Sequence, residues 1–475
     1  MAARSVRFRR TVGLAGVTAA VAGAAVAVAP PAVAAEPYCT TTWNGGNGAW
    51  SDAANWSTGE TPAATDYICI LSTSGEPAPV VSVGASTTVK AVTMLGATLR
   101  LPAAGTVLTT GDFAPERSLV TGRGTVQGAK WGMTVFRQTR LGGGLALLTD
   151  GSVTFRGALT FGGGARVVQS FVTGFTTFEG DVAVSDGDAH PANHLTLNTQ
   201  NSEIAAGTEV AIKVPFAARN STLTVLGTLR LPRYDGFDAG GVLSPVGDYT
   251  RFATYGAGRV VLPRTVTRLA PGTVVERSSA LVAPGGGDAL TALTSIAGAL
   301  MLQRPLVLSN PLEVSGGLRG SSSLRVPSLT VPAGGYVALN GVGLPEASVT
   351  ATVVRVAAGA SFGASVVRGR LESAGTTAVS GAQWGALQLT GKAVSTLSVT
   401  CPATVDRGAR LAGQARVALP AVRDLPADGA RVVVLTAAGG ITGRFAGVLA
   451  TPPARGSVTL EYTPTQVVAV YHAPV

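Results

Sequence analysis

The chain has 475 residues, 46% hydrophobic but only 13% charged and 5% aromatic, with 62 Gly, 27 Pro and a formal net charge of +10. This much apolar content supports a sizeable core and excludes wholesale disorder, while a single long apolar run, at the N-terminus, excludes a polytopic membrane protein. Glycine shows no three-residue period, which excludes collagen, and crowding with Gly, Val and Thr argues against a helical bundle.

Arg4, Arg7, Arg9 and Arg10 precede an apolar stretch from Thr11 to Ala29, which Pro30 and Pro31 break before the small residues Ala32-Val33-Ala34-Ala35. This order reads as a secretory signal peptide over residues 1–35, cut after Ala35 or, as a near alternative, Ala34. The rival readings are an uncleaved anchor and, from Arg9-Arg10, a twin-arginine export signal. The expected location is secreted, extracellular or at the cell surface, with no transmembrane segment after cleavage. Cleavage removes four arginines and no acid, and the remainder stays basic. Its arginines are scattered without a concentrated patch, so no nucleic-acid partner is expected.

The cysteines are Cys39, Cys69 and Cys401. In an oxidising compartment a Cys39–Cys69 disulfide is expected, with two separate buried thiols as the alternative. Cys401, between Val399-Thr400 and Pro402, is expected at a buried position. No C-x-x-C exists, which excludes zinc sites of the usual cysteine spacing.

Residues 36–79 hold Trp43, Trp50 and Trp56, three of the five tryptophans. Large aromatics bury much surface in a short segment, so this stretch is expected to be an N-terminal cap. Asp52 and Asn55 are placed to bond turn backbone. From residue 80 to 400, short Val/Leu/Thr stretches alternate with Gly, Ser, Asn or Asp. In Thr222–Val225 and Thr228–Leu231, Leu223, Val225, Leu229 and Leu231 should face in, with Arg230 facing out. Thr98-Leu99-Arg100-Leu101-Pro102 recurs as Thr228-Leu229-Arg230-Leu231-Pro232, and Leu324-Arg325-Val326-Pro327 is a looser copy. The spacing predicts an all-β fold: a single long parallel β-helix (β-solenoid) with capped ends and about 15 rungs stacked ~4.8 Å apart. The alternative is an array of β-sandwich domains. Residues 401–475 are expected to supply the last rungs and a closing cap.

Both ends carry a resemblance. Trp50-Ser51-Asp52-Ala53-Ala54-Asn55-Trp56, preceded by Trp43 and Gly48 and followed by Pro62 and Asp66, resembles the N-terminal motif of bacterial secreted right-handed β-helix proteins, including those with autotransporter-passenger repeats. The closing pattern is similar as well: Val434-Leu435-Thr436-Ala437, Thr442-Gly443-Arg444-Phe445, Leu460-Glu461-Tyr462 and Val467–Val470. No translocator barrel is expected from the C-terminal residues. The resemblance implies a secreted or surface solenoid and no particular activity, because such folds host adhesins, lyases and inert stalks alike.

The search for chemistry finds little. Residues 289–405 contain only the acids Glu313, Glu346 and Glu372, too few for facing carboxylate pairs. The densest titratable cluster is Asp181, Asp186, Asp188, His190 and His194. Asp186, Asp188, His190 and His194 have the spacing for Ca²⁺ or a His-assisted metal, although Gly187 and Pro191 mark a solvated loop. No other cofactor is expected. A second patch, Arg233-Tyr234-Asp235-Gly236-Phe237-Asp238, reads as a turn or a sugar-contact loop. The triple-glycine runs at 142–144, 162–164 and 285–287 precede no helix, so they read as corners rather than phosphate cradles. Trp131 and Trp384 read as packing residues, with sugar platforms as the alternative. The expected function is a non-catalytic surface, structural or adhesion protein that contacts surface glycan or envelope polymer. The alternative is a carbohydrate-active β-helix enzyme.

Overall fold

The computed structural model describes residues 38–130, 132–169, 175–198, 201–254, 259–276, 281–339, 347–378 and 382–474; the expected signal peptide and Trp131 lie outside them. Among the described residues, helix is confined to single 3-10 turns at Ala53–Asn55, Val422–Asp424 and Pro453–Arg455. The rest of the regular structure is strand, paired in parallel from coil to coil except at the C-terminal end, in two sheets that make a right-handed type of β-solenoid; the first sheet begins at Thr41–Thr42 and the second at Val242–Leu243.

One inward column shows the continuity. Thr41 pairs with Ile68, Ile68 with Val92, Val92 with Phe113 and Phe113 with Thr134. The register passes on through Val153, Thr176, Ser202, Leu223, Phe252 and Val275. It continues through Leu300, Leu318, Val337, Phe362, Thr377, Ser395 and Ala415 to Val448. Every member before Val448 is buried. Sandwich domains in a row would interrupt such a column at each boundary and would pair their strands antiparallel. That alternative is therefore set aside.

The alternation of side chains follows from strand geometry, in which successive residues point to opposite faces. Leu99, Leu101, Leu229, Leu231, Leu324 and Val326 are buried in the three copies of the repeat, while Arg100 and Arg325 are exposed and Arg230 is half-exposed. Each fully buried Leu or Val contributes roughly 1.5–3 kcal/mol. Aromatic residues stack in the same way: Phe136, Phe155 and Phe178 form a ladder with centroids 5.5 and 5.2 Å apart. Several inward hydroxyls find carbonyls on the preceding coil. Ser221 donates to Leu197 O at 3.1 Å, Thr250 to Ala218 O at 3.0 Å and Thr273 to Leu243 O at 3.1 Å. These bonds remove the penalty of burying a polar group inside the stack. Trp384 is fully buried, a packing residue rather than a platform.

The first coil is built around the tryptophans. Trp56 meets Trp43 and Trp50 edge to face, with centroids 4.9 and 4.8 Å apart. Its indole N–H donates to Trp50 O at 2.7 Å. Asn55 Nδ2 donates to Ala49 O at 3.2 Å, and Asp52 Oδ1 accepts from Ala54 N at 3.1 Å. A Cβ on Gly48 would lie 2.5 Å from Asn55 Nδ2 and 3.2 Å from the Trp43 ring, so a larger residue there would push the Asn55 amide off Ala49 O. Cys39 and Cys69 form a disulfide, with Cα atoms 5.7 Å apart, beside the pairing of Thr41–Thr42 with Ile68–Cys69.

At the other end the parallel pairing stops. Arg431–Ala437 pairs antiparallel with Gln466–His472, which pairs antiparallel with Ser457–Tyr462. The hairpin covers the edge that the second sheet would otherwise present to other chains. Phe445 N donates to Tyr462 Oη at 3.1 Å, and the Arg444 guanidinium lies 5.3 Å above the Tyr462 ring. Burial raises the Tyr462 hydroxyl above its ordinary range, opposed by the Phe445 bond and the Arg444 charge. Cys401 corrects its expectation: it is a free, exposed thiol. It sits in the bend between Val394–Ser398 and Ala403–Val405, where strand alternation lapses.

Candidate functional site

The strand Phe175–Asp186 places Val182 and Val184 inward, and Asp186 takes the register position that Leu141 and Phe161 hold on the two preceding coils. Its side chain is only 8% exposed. The loop after it folds back through Asn193, which is fully buried. Asn193 Nδ2 donates to Asp186 Oδ1 at 2.7 Å and to Asp188 Oδ1 at 2.9 Å, and its Oδ1 accepts from Gly164 N at 3.0 Å. Asp188 accepts from Gly163 N at 2.5 Å through Oδ2 and from His190 N at 3.2 Å through Oδ1. The Gly163 N–H, followed by Asn193, holds the Asp188 carboxyl below its ordinary value. His190 Nδ1 accepts from Ala192 N at 3.1 Å.

The second sequence patch joins this corner. Arg233 Nη1 donates to Asp186 Oδ2 at 2.9 Å, and His194 Nε2 lies 3.5 Å from Asp235 Oδ2. Burial pushes the Asp235 carboxyl up, and the His194 charge opposes it. Asp181 lies apart, accepting from Glu209 N at 2.7 Å. Asp186 and Asp188 thus meet across an amide rather than a cleft, His190 serves its own turn, and His194 faces Asp235. Among the described residues, no group of three or more His, Cys, Asp or Glu side chains is placed to hold a metal ion. Chemically, the corner is a network that fixes a glycine turn of the coil before.

A different feature depends on register between coils, which local sequence does not show. Outward arginines repeatedly meet a glutamate on the adjoining coil: Arg137 with Glu116 at 3.1 Å, Arg230 with Glu209 at 2.7 Å, Arg251 with Glu276 at 2.6 Å and Arg355 with Glu372 at 3.2 Å. Such cross-strand pairs stabilise a sheet modestly. In the acid-poor stretch, Arg325 and Arg368 instead stand in register on either side of Thr350. The Leu-Arg-x-Pro repeat is the signal that could have found Arg325, since it sets an arginine outward each time. The fold defines a parallel β-solenoid. No family model, curated protein or solved structure matches the chain. Among the described residues no helix is long and apolar enough to cross a membrane.

Proposed function

We propose that the protein is a secreted, non-catalytic β-solenoid of a bacterial surface or extracellular matrix, acting as a structural or adhesion element that contacts glycan or envelope polymer. The observation that carries this reading is the saturation of the Asp186–Asp188–Asn193 corner by the chain's own donors. A catalytic site needs titratable groups converging on a space for substrate, and this cluster converges on itself. The N-terminal sequence pattern supports export, and the Cys39–Cys69 disulfide fits an oxidising compartment.

The test is an array of glycans and polysaccharides probed with residues 36–475, reading retention and product release together, alongside fractionation of the producing cells. Retention without product and recovery outside the cytoplasmic membrane are expected. Turnover of any polysaccharide would replace this reading with that of a carbohydrate-active enzyme. Recovery in the cytosol would remove the surface role.

A further inference from the structure

Val307, Arg325, Thr350 and Arg368 stand in register on four successive coils of the second sheet. Val307, Arg325 and Arg368 are exposed and Thr350 is half-buried. With Pro327 and Thr352 they line a groove of about 460 Å³. Among the described residues, neither Arg325 nor Arg368 has a hydrogen-bond or ion-pair partner. Their neighbours on the same face differ: Arg355 and Arg370 both reach Glu372, at 3.2 and 2.7 Å. Among the described residues, the row from Val307 to Arg368 therefore keeps two uncompensated guanidinium groups. Strands in one sheet lie ~4.8 Å apart, so two strand spacings separate the two arginines by about 10 Å along the stack.

We propose that this row binds a linear acidic polysaccharide lying along the axis of the stack, its carboxylate or sulfate groups held by Arg325 and Arg368. A guanidinium offers a planar fork of N–H donors that fits either group with two parallel hydrogen bonds. The Thr350 hydroxyl lies between the two forks, where a sugar hydroxyl of the intervening unit would sit. Val307, 60% exposed, supplies an apolar end to the row, against which the C–H face of a sugar ring packs. The ladder repeats along one direction, so it suits a polymer with charges recurring at a similar interval better than a compact ion. The proposal rests on the reading of the protein as a surface that contacts envelope or matrix polymer.

Binding of the mature chain to immobilised polygalacturonate, dextran sulfate, neutral dextran and double-stranded DNA tests it. Retention on one or both acidic polysaccharides, not on dextran, and weakening with added salt is expected. The acidic polymer that retains the protein identifies the group recognised. R325Q/R368Q should weaken binding about a hundredfold, at about tenfold for each lost charge-assisted contact. Thr350→Glu sets a carboxylate between the two arginines and should give a similar loss with both retained. Arg416→Gln, exposed on the first sheet, should leave binding unchanged. The proposal is overturned if the double variant and Thr350→Glu bind as the parent does, or if dextran or DNA binds as tightly as the acidic polysaccharides. Retention on neutral glycans alone overturns the arginine row and leaves the surface reading standing. No retention on any glycan removes both.

Discussion

Arg233 reaches Asp186 at 2.9 Å across 47 residues of sequence, joining a strand end to a turn on a later coil. Asp186 is almost buried while half of the Arg233 side chain stays exposed. The arginine is thus the charged partner of an acid that occupies an otherwise apolar register position. Arg233→Ala should destabilise the protein by about 1–3 kcal/mol, because it leaves that carboxylate with Asn193 alone. Asp186→Ala/Arg233→Ala should cost less than the sum of the single changes. A denaturant-based double-mutant cycle measures this coupling, and additive single effects would count against it.

The same corner should give opposite pH responses from two carboxyls. Asp188 is held below its ordinary value of 3.8, so the folded state favours its ionised form. Its contribution is present above that value and is lost as the pH falls through the lower folded one. Asp235 is raised from 3.8 by burial, so the folded state favours its protonated form. Its contribution is present below 3.8 and is lost as the pH rises through the raised value. Thermal melts in small pH steps should show Asp188→Asn flattening the acid side of the Tm curve and Asp235→Asn flattening the side just above. Curves that stay parallel to the parent's on both sides would contradict the assignment.

Much of the fold is legible in the residues because a stack of short strands repeats one physical problem. Leu229 and Leu231 alternate with Arg230 for the reason that holds on every coil. The three tryptophans announce a compact first turn. Coil length is what the sequence hides. The column moves from Phe362 to Thr377 over a short coil and from Ala415 to Val448 over a long one. Register between distant segments is therefore not readable by counting. This is why Arg233 and Asp235 read as a separate turn from Asp186 and His194, and why Arg325 and Arg368 do not announce themselves as neighbours. Cys401 departs from its expected burial because its local sequence resembles strand while the residue occupies a bend.

In a stacked fold each coil contacts mainly its neighbours, so end effects stay local. Trp56→Ala removes the ring that both Trp43 and Trp50 meet. A cost of about 3–5 kcal/mol is expected, concentrated in the first coils. Hydrogen exchange should quicken for residues 39–95 and stay unchanged beyond residue 300. Uniform quickening along the chain would show that the cap does not act locally. The disulfide predicts a thiol count to accompany this: one accessible thiol per native chain, Cys401, and three after reduction and unfolding.

Gly369 lies between Arg368 and Arg370 with φ +145°, and a Cβ built there would sit 1.7 Å from Ala351 O on the preceding coil. On the next coil, a Cβ on Gly385 would meet Gly369 O at 2.6 Å. The close approach of these backbones allows the strand to bend and the register to shift between Val367 and Arg370. Gly369→Ala combines a disfavoured backbone angle with a clash against a carbonyl that is fixed in the sheet, so a loss of about 3 kcal/mol or more is expected. Gly180→Ala is the matched comparison: its φ is +72° but nothing lies within 4 Å of the added carbon, so only the left-handed strain of about 1–2 kcal/mol should appear. Calorimetry of the two variants separates strain from collision. Because Gly369 sets where Arg368 leaves the sheet, Gly369→Ala should also weaken binding of the acidic polymer that retains the parent, while Gly180→Ala should not. Equal losses of stability in the two variants would show that the clash relaxes and that the bend does not depend on glycine.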